Sequence, residues 1–377
     1  MIPFNKPFLC GSELDFIKDS IDRGKLSGNG YYTKKCQKFF EDRYSIKKCL
    51  LTTSCTDALE MASILLEIGK NDEVIVPSYT FVSTALAFTR QGAKVVFADS
   101  LSTHPNIDPN SIEKLITERT KAIVVVHYAG VAVNLKEIML LCKKYKLFLV
   151  EDAAQAVESK YNNSYLGSFG HLSTFSFHET KNIISGEGGM LCINDERFIK
   201  RSEIIWEKGT DRAAFFRGEI NKYGWVDTGS SFLPSESIAA FLYAQLENID
   251  LIQAKRLQLW KKYNSLLSGL NQLGKIKTAH IPNFSTNNAH MFYIILNDSK
   301  IRTDLILYLK QNGIHSVFHY QSLCKSPYYL KNNDEKSSNI YSDVYSNQLL
   351  RLPLFYELSI SDVEYICEKI IDFFEIS

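Results

Sequence analysis

Between Cys49 and Asp195 the chain alternates short apolar runs with longer amphipathic stretches, and this alternation constrains the fold more than any other feature. The apolar runs are rich in β-branched residues and include EVIVPS, AKVVFAD, KAIVVVHYAG and LFLVEDAA. Near-continuous apolar strands that alternate with amphipathic helices are typical of parallel sheets covered by helices on both faces. We therefore predict an α/β three-layer sandwich with a mostly parallel sheet.

The chain of 377 residues is longer than a single hydrophobic core usually serves, which predicts a large domain and a smaller one. From about Glu236 a helical stretch with few breakers follows the alternating region, and we place the boundary within it. The prediction is a large domain over residues 1–245 and a small C-terminal α+β domain over residues 246–377.

Two local features are expected in the small domain. Residues 325–339 are polar and rich in breakers, which predicts a surface loop. The last helix carries apolar residues at helical spacing after Ser361 and includes Glu364, which predicts a capping box formed by these two side chains.

The charge balance argues against a nucleic-acid partner. The 43 Lys and Arg residues nearly match the 42 Asp and Glu residues, and the basic pairs are scattered along the chain. No run of about eighteen apolar residues occurs and the first residues lack a long apolar segment, so we expect no membrane contact and a cytoplasmic location. The eight cysteines form no C-x-x-C pair and are expected to be reduced, and no metal site is predicted.

Ligands of open α/β sheets bind at the carboxyl ends of the strands. In this chain the loops expected at that edge contain TTSCTDA, PSYTF, HYAG and EDAAQ. None of them carries a G-x-G-x-x-G fingerprint or a P-loop, which argues against a nicotinamide or nucleoside triphosphate site. A different ligand is therefore expected there.

Lys181 and Asp152 are the strongest candidates for chemistry at this edge. Lys181 follows the strand-like run TFSF and precedes NIISGEGG, whose glycines let backbone approach a bound group, so its amine is a Schiff-base candidate. Asp152 ends the strand-like run LFLVED, where a desolvated carboxylate needs a cationic partner such as a pyridinium nitrogen. The alternatives are a surface lysine in a turn and a helix N-cap.

Four further residues could hold parts of a flat, phosphorylated cofactor. Thr56 opens the helix in TTSCTDALE and marks a helix N-terminus suited to a phosphate, although plain capping by Thr56 needs no ligand. Ser176 could offer a hydroxyl to the same phosphate or satisfy its own neighbours. Phe81 could stack on the ring or pack in the core, and Gln155 could bind a phenolic oxygen or lie in the first turn of a helix.

The order of these residues resembles that of the fold-type I pyridoxal phosphate (PLP) enzymes, and in detail the chain resembles the DegT/DnrJ/StrS sugar aminotransferase family. The similarity spans nearly the whole chain and is carried by GKLSGNG, SCTDALEMA, DEVIVPSYTFVSTA, VHYAG, VEDAAQA, GSFGHLSTFSFHETKN, GEGG and LRLPLFYELS. It implies the fold-type I aminotransferase architecture and a PLP cofactor that alternates with pyridoxamine 5′-phosphate (PMP). It also implies a homodimer with active sites at the subunit interface.

The resemblance assigns a role to each cofactor-site candidate. Lys181 would be joined covalently to the cofactor, and Asp152 would contact the pyridine nitrogen. The other contacts would be made by Gln155 at the ring hydroxyl, by Phe81 against the ring, and by Cys55, Thr56 and Ser176 at the phosphate.

Two departures from the family pattern concern contacts beyond the ring. Where many relatives read Gly-x-Asn-Tyr-Arg and the Asn reaches the phosphate of the partner subunit, this chain reads GSSFL, so Ser231 replaces the Asn and Leu233 the Arg. Where relatives often carry a histidine after Pro-Leu, Cys324 stands in HYQSLCKSP. Ser231 is therefore expected to make a weaker or different cofactor contact, and substrate contacts from the small domain stay open.

Further motifs are similar to those of family members that act on a dTDP-linked sugar, among them MIPFN, KLSGNG, EKGTDR, FFRG and HMFYI. The similarity implies transfer of the amino group of L-glutamate to a dTDP-4-keto-6-deoxyhexose, giving dTDP-4-amino-4,6-dideoxy-D-galactose for a cell-surface polysaccharide. His178, His319 and Tyr320 are the candidates for contact with the substrate. His178 could equally satisfy a neighbouring carbonyl.

Three alternatives stay open at this point. The motifs do not exclude amination of a 3-keto sugar nucleotide. Family members that use PMP for sugar dehydration or deoxygenation have a histidine in place of the lysine, so Lys181 favours amino transfer. A non-catalytic regulator with this fold would have no need of Asp152, Ser176 and Lys181 together.

Overall fold

The computed structural model describes residues 1–332 and 339–376, apart from the side chain of residue 376. The helices are α1 Glu13–Asp22, α2 Tyr31–Tyr44, α3 Cys55–Leu65, α4 Ser83–Thr89, α5 Pro109–Leu115, α6 Leu135–Tyr145, α7 Ile199–Trp206, α8 Arg212–Phe216, α9 Glu236–Glu247, α10 Ile249–Leu266, α11 Ser268–Gln272, α12 Ser299–Gln311, α13 Pro327–Asn332, α14 Ile340–Gln348 and α15 Ile360–Ile376. The strands are β1 Lys48–Thr52, β2 Glu73–Pro77, β3 Lys94–Ala98, β4 Thr120–Val126, β5 Phe148–Asp152, β6 Lys160–Tyr161, β7 Ser164–Tyr165, β8 Leu172–Ser176, β9 Gly189–Ile193, β10 Ile276–Thr278, β11 Phe292–Leu296 and β12 Leu349–Leu352.

The large sheet has seven strands in the order β1-β9-β8-β5-β4-β2-β3. The pairs from β8 through to β3 are parallel. Strand β9 runs antiparallel to both of its neighbours, β1 and β8. The sheet is thus mostly parallel, as predicted, and the carboxyl ends of β1, β2, β4, β5 and β8 meet at one edge.

Both faces of this sheet are buried, because alternate residues of each strand enter different apolar clusters. On β4, Ile123 and Val125 face a cluster that includes residues of α2, α6 and α9. Ala122 and Val124 face the opposite cluster, which includes residues of α3, α4 and α7. The predicted three-layer α/β sandwich is confirmed.

A second, three-stranded antiparallel sheet has the order β10-β11-β12. It packs with α10, α12 and α15 around a separate apolar cluster that includes Leu259, Phe292, Leu305 and Ile366. Helix α9 belongs to the first core, whereas α10 contributes to both. We propose that the domain boundary lies near residue 245, with α10 as the connection.

The predicted surface loop at residues 325–339 is wrong for its first half, because α13 occupies Pro327–Asn332. The hydroxyl of Ser326 accepts a 3.3 Å hydrogen bond from the Tyr329 backbone N–H, and proline follows at the first helical position. A serine N-cap followed by proline is a helix start, and this signal outweighs the polar composition. Residues 333–338 of the predicted loop lie outside the described residues.

The predicted capping box of the last helix is also wrong, because Ser359 and Asp362 form the box instead of Ser361 and Glu364. The Asp362 N–H donates to the Ser359 hydroxyl at 3.0 Å, and the Ser359 N–H donates to the Asp362 carboxylate at 3.1 Å. Ser361 already lies inside α15, and Glu364 pairs with Lys262 instead. The sequence contains two overlapping capping patterns, and the earlier one forms the box.

Over the part of the chain that the structure describes, no helix is long and apolar enough to cross a bilayer. Within the same residues, no group of three or more His, Cys, Asp and Glu side chains is arranged to hold a metal ion.

Candidate active site

A cavity of about 740 Å³ lies at the carboxyl ends of β4, β5 and β8, between the large sheet, the starts of α3 and α4, residues 317–320 and strand β12. It collects every predicted site residue except Ser231. These are Cys55, Thr56, Phe81, Asp152, Gln155, Ser176, His178, Lys181, His319 and Tyr320. Residues from five separate stretches of the sequence therefore meet in one cavity.

Asp152 is the last residue of β5, and its carboxylate is buried on the wall of the cavity. The Thr84 hydroxyl donates to Oδ2 at 2.7 Å, and the Ala154 N–H donates to Oδ1 at 3.2 Å. Burial raises the pKa of Asp152 despite these donors and the nearby positive charge of Lys181. No helix begins after Asp152, so the N-cap alternative does not apply.

Lys181 lies in the turn between β8 and β9, where its backbone N–H donates to the His178 carbonyl at 2.9 Å. Its ammonium makes no hydrogen bond or ion pair with any residue that the structure describes. Burial lowers the pKa of Lys181, and the charges of Cys55 and Asp152 oppose that effect. The side chain lines the cavity and is only partly exposed, so Lys181 is not an ordinary surface lysine.

The start of α3 forms an anion-binding corner of the cavity. Ser54 caps the helix and accepts the Asp57 N–H at 3.0 Å, so Thr56 is not the cap. Within the described residues, the N–H groups of Cys55 and Thr56 have no acceptor. Two free N–H groups at the positive end of a helix favour a phosphate.

Gly189 lets this corner form. A Cβ at Gly189 would lie 2.4 Å from the Cys55 nitrogen, so only glycine allows β9 to pass so close to the start of α3. Gly189 is also the register partner of Ser176 on β8. The Ser176 hydroxyl, which accepts a 3.4 Å bond from the His178 N–H, therefore lies beside the same helix start.

A polar pair lines the other side of the cavity. In the Gln155 side chain, Oε1 accepts the Ala129 N–H at 2.6 Å. The side-chain nitrogen Nε2 is therefore the donor to the Tyr320 hydroxyl at 2.9 Å. The Tyr320 ring stacks on His319 with centroids 3.5 Å apart. His319 in turn lies 2.6 Å from the Tyr128 hydroxyl through Nδ1. His319 and Tyr320 thus close this side of the cavity through rings that pack on each other.

Phe81 and His178 lie at the accessible part of the cavity. Phe81 is 56% exposed just before α4, so core packing does not explain it in this chain. Nδ1 of His178 contacts the Thr180 hydroxyl at 2.9 Å and accepts the Thr180 N–H at 3.3 Å. His178 is therefore hydrogen-bonded to Thr180 rather than to a neighbouring carbonyl. Its Nε2 lies 3.7 Å from the Glu187 carboxylate.

The structure does not bring Ser231 into this cavity. Ser231 forms an isolated bridge with Glu207 and lines a separate cavity of about 530 Å³ together with Gly28 and Asn29. Any contact of Ser231 with a cofactor would have to be made to another subunit. Cys324, which stands where relatives often have histidine, is buried in the apolar cluster on the α3 and α4 side of the large sheet. It does not line the cavity.

Three residues that the sequence analysis missed also line the cavity: Thr84, His290 and Arg351. Thr84 holds Asp152, and Arg351 places a guanidinium on the wall formed by β12. A single arginine inside the otherwise apolar run LLRLPLF is a sequence signal for a charge near the core. Thr84 and His290 stand in runs with no distinguishing pattern.

The neighbours of His290 fix its protonation. The Asn182 amide nitrogen donates to Gln253 Oε1 at 3.0 Å and to the Asn288 carbonyl at 2.8 Å, which leaves Asn182 Oδ1 as an acceptor. Nδ1 of His290 lies 2.9 Å from this oxygen and therefore carries the proton. Burial holds the pKa of His290 well below its usual value, so its Nε2 is a neutral acceptor.

These residues fit PLP, which carries an aldehyde, a pyridine nitrogen, a ring hydroxyl and a phosphate on one flat ring. Lys181 supplies an amine, and the start of α3 supplies free N–H groups. The Gln155–Tyr320 pair supplies a polar edge. Burial raises the pKa of Asp152 despite its two hydrogen-bond donors, and a cationic ring nitrogen beside this carboxylate would stabilise its charged form.

Comparisons with known proteins agree with this chemistry. A GDP-perosamine synthase from Vibrio cholerae is 30% identical over 99% of this chain and 99% of that protein. A UDP-4-amino-4-deoxy-L-arabinose–oxoglutarate aminotransferase from Shewanella sediminis is 30% identical over 98% of this chain and 97% of that protein. The structure of Spr1654 from Streptococcus pneumoniae in its PMP form is 25% identical, has a TM-score of 0.92 and covers 100% of this chain and 99% of that one.

The protein is thus a PLP-dependent sugar aminotransferase with the fold-type I architecture, which confirms the predicted class of enzyme and the predicted cofactor. The model of the DegT/DnrJ/EryC1/StrS aminotransferase family matches residues 10–371, and the chain belongs to that family.

Proposed function

We propose that this enzyme transfers the amino group of L-glutamate to a dTDP-4-keto-6-deoxyhexose and forms dTDP-4-amino-4,6-dideoxy-D-galactose. The observation that carries the proposal is the cavity that Lys181 and Asp152 both line, where burial lowers the pKa of the lysine amine and raises the pKa of the carboxylate. A lysine at this position favours amino transfer over PMP-dependent dehydration. The dTDP-linked substrate is supported by the similarity of motifs such as EKGTDR and FFRG.

The proposed cofactor contacts follow from the positions of the side chains. Asp152 would hold the pyridine nitrogen in its protonated form, because a buried carboxylate is stabilised by a cation. Cys55, Thr56 and Ser176 would hold the phosphate at the start of α3. Two further contacts, by Phe81 against the ring face and by Gln155 near the ring hydroxyl, complete the proposed site.

When bound, the cofactor supplies an electron sink for the carbanion formed at the α-carbon of the amino donor. The Lys181 amine would remove the proton from that α-carbon and, in the second half of the reaction, return a proton to C4 of the sugar. Its lowered pKa favours this role, because a larger fraction of the amine is uncharged near neutral pH. Lys181 is thus proposed as the catalytic residue.

The rest of the cavity is available to the sugar. Its volume of about 740 Å³ is in the range of pockets that enclose ligands of this size. We propose that His178, His319 and Tyr320 contact the substrate, since the first lies at the accessible side and the other two form the wall from the small domain. The two relatives compared above act on GDP- and UDP-linked sugars by name, so the nucleotide is a point to test.

We further propose a homodimer in which each copy completes the site of the other. Residues 212–226 present large side chains to solvent, with Phe216 67% and Trp225 85% exposed. Such an aromatic patch is typical of a protein–protein contact. Ser231 lies a few residues further on, outside its own active-site cavity, and in a dimer it could face the cavity of the partner. A cytoplasmic location remains a prediction of the sequence.

The test is to incubate the enzyme with L-glutamate and dTDP-4-keto-6-deoxyglucose and to identify the product by NMR. Parallel samples contain GDP- and UDP-linked 4-keto-6-deoxyhexoses, and a dTDP-linked 3-keto-6-deoxyhexose, at the same concentration. The proposal predicts an axial amine at C4 of the dTDP-linked sugar, formed faster than either other product. Unreacted dTDP sugar, or preference for another nucleotide, would refute the substrate assignment, and a 3-keto substrate would be favoured if only such a sugar were aminated.

A further inference from the structure

The ring of His290 is held in a fixed orientation on the wall of the active-site cavity. The Asn182 side-chain nitrogen donates to the Asn288 backbone carbonyl at 2.8 Å, and because a carbonyl only accepts, this bond fixes which end of the Asn182 amide is which. The oxygen end lies 2.9 Å from Nδ1 of His290 and accepts its proton. Arg256 holds the backbone beside the ring, since its Nη2 donates to the His290 carbonyl at 2.7 Å. Asn182, Arg256 and His290 are all buried, so the ring has little freedom to turn.

The other ring nitrogen of His290, Nε2, keeps an unused lone pair. With the proton on Nδ1, Nε2 can only accept a hydrogen bond, and no donor in the part of the chain that the structure describes reaches it. His290 is only 9% exposed, yet Nε2 is not sealed from solvent, so its lone pair opens to the cavity that the residue lines. Burial lowers the pKa of His290, and the charges of Lys181, Arg256 and Arg351 act in the same direction, which keeps the ring uncharged at neutral pH. A bound ligand can therefore donate to Nε2.

This acceptor lies close to the amine proposed as the catalytic group. Asn182, which holds the His290 ring, follows Lys181 directly in the chain. His290 and Lys181 line the same cavity, but no hydrogen bond joins their side chains in the described structure. Nε2 is thus available to a group that is bound beside Lys181. Such a group has to be attached next to the carbon that reacts there.

The cofactor and the amino donor offer no suitable hydrogen-bond donor at this place. On PLP, the pyridine nitrogen is proposed to pair with Asp152, the ring hydroxyl to lie near Gln155, and the phosphate to lie at the start of α3. In an amino acid, the α-carbon carries a carboxylate, which only accepts, a hydrogen, a side chain that begins with a methylene in glutamate, and the amine that is transferred. The partner of Nε2 is therefore expected on the sugar.

The keto sugar has a donor next to its reacting carbon. In a 4-keto-6-deoxyhexose, C4 is flanked by C3, which carries a hydroxyl, and by C5, which carries the methyl group and the ring oxygen. Only the C3 side can donate. We infer that Nε2 of His290 accepts a hydrogen bond from the C3 hydroxyl of the sugar, an inference that rests on the proposed aminotransferase function. His290 is thus a specificity-determining residue for the sugar, because a sugar without this hydroxyl leaves a buried acceptor unpaired.

The test is the half-reaction of the PMP-loaded enzyme with the sugar, followed by the return of the visible PLP band. The two substrates are dTDP-4-keto-6-deoxyglucose and its analogue without the C3 hydroxyl. The parent should react with the first sugar with a second-order rate constant larger by about tenfold or more. Two variants remove the acceptor in different ways: His290→Asn keeps a donor for Asn182 but has no atom at the place of Nε2, and His290→Phe keeps a ring.

Both variants should lose the preference for the hydroxyl. We expect each to react more slowly than the parent with the first sugar by about tenfold or more, and within about twofold of the parent with the 3-deoxy sugar. His280→Phe is the matched control, because His280 is an exposed histidine that does not line the cavity, and it should keep the preference of the parent. The half-reaction with L-glutamate should stay within about twofold of the parent in all three variants, which shows that they are folded and loaded.

Three results would overturn the inference. The first is a parent that reacts equally well with the two sugars, a result that needs no variant. The second is an equal loss with both sugars in His290→Asn. The third is a half-reaction with L-glutamate that falls as much as the half-reaction with the sugar, because His290 would then act on Lys181 or on the cofactor.

The nucleotide separates this inference from the proposed function, since the C3 hydroxyl is present whichever nucleotide the sugar carries. A parent that reacts only with GDP- or UDP-linked sugars, and whose hydroxyl preference is lost in His290→Asn, would refute the proposed substrate and support the inference. A parent that aminates the dTDP sugar while His290→Asn keeps the full preference would retain the proposed function and overturn the inference. A parent that aminates no 4-keto sugar would overturn both.

Discussion

The hydroxyl of Thr84, on α4, donates a 2.7 Å hydrogen bond to Oδ2 of Asp152, at the end of β5. Because this proton is directed to the carboxylate, the Thr80 hydroxyl, 2.9 Å from that of Thr84, must donate to Thr84. All three side chains are buried. A helix that precedes Asp152 by almost seventy residues thus orients the carboxylate proposed to hold the cofactor nitrogen.

Thr84→Val should weaken cofactor binding, because it removes the donor and leaves a buried carboxylate oxygen unsatisfied. We expect the affinity of the apoprotein for PMP, which forms no covalent bond to lysine, to fall by about tenfold or more in calorimetric titration. Thr84→Ser keeps the hydroxyl and should bind PMP nearly as well as the parent. Equal affinity of Thr84→Val and the parent would show that this hydrogen bond does not support the cofactor.

The covalent attachment of PLP to Lys181 should depend on pH with a midpoint below that of an ordinary lysine. Only the uncharged amine attacks an aldehyde, and burial lowers the pKa of Lys181 below 10.5. The attachment rate, followed by stopped-flow absorbance, should therefore rise with pH and level off below pH 10.5. Asp152→Asn removes a negative charge that raises this pKa, so its midpoint should be lower still; a parent midpoint at or above 10.5 would contradict the account.

Gly189→Ala should destabilise the protein at the phosphate corner. The added Cβ would lie 2.4 Å from backbone atoms of Ser54 and Cys55, so the start of α3 or strand β9 has to move. We expect the free energy of unfolding of the apoprotein to fall by about 1–3 kcal/mol in urea titration. Gly269→Ala is the control, because Gly269 lies in α11 with nothing within 4 Å of its added Cβ. A stable Gly189→Ala protein that binds PMP normally would refute the tight packing at this point.

Trp225→Glu should dissociate the proposed homodimer, because it puts a charge into the aromatic patch of residues 212–226. Light scattering should give twice the chain mass of 43.0 kDa for the parent and a single chain mass for the variant. Leu273→Glu changes another exposed apolar residue, 74% accessible and outside the patch, and should leave the mass unchanged. A parent with the mass of a single chain would contradict the homodimer. A Trp225→Glu variant that stays dimeric would show that the interface lies outside this patch.

Much of the fold follows from local pattern. The β-branched runs predict strands β2, β3 and β4 because both faces of the large sheet are buried, so the interiors of these strands are apolar. Because every strand of this sheet is buried in this way, the sequence carries no signal for whether a strand runs parallel or antiparallel to its neighbours. Strand β9 is as apolar as the parallel strands β2, β3 and β4, and nothing in GMLCI shows that it runs antiparallel between β1 and β8.

The residues at strand ends were predictable because the sheet itself brings them together. Asp152 and Ser176 are the last residues of β5 and β8, which are adjacent and parallel. Thr84, His290 and Arg351 reach the cavity through packing of α4 and of the small domain against the sheet. That packing depends on contacts between distant segments, which a local pattern does not encode.

The incorrect capping box shows a different limit. Ser359 with Asp362 and Ser361 with Glu364 both match the pattern of a serine followed three residues later by an acid. Which pair forms depends on where the helix begins, and here it begins immediately after Ser359. Sequence spacing alone cannot separate two patterns that overlap by two residues.

The most direct test of the account is to reduce the PLP-loaded enzyme with borohydride and to locate the modified residue by peptide mass spectrometry. Reduction makes the bond between the cofactor and its lysine permanent, so the label reports which amine holds PLP. The account predicts that Lys181 is labelled in the parent and, at lower occupancy, in the Asp152→Asn variant. The Lys181→Ala variant should carry no label. A label on another lysine, or an equal label on Lys181→Ala, would contradict the assignment of this cavity as the active site.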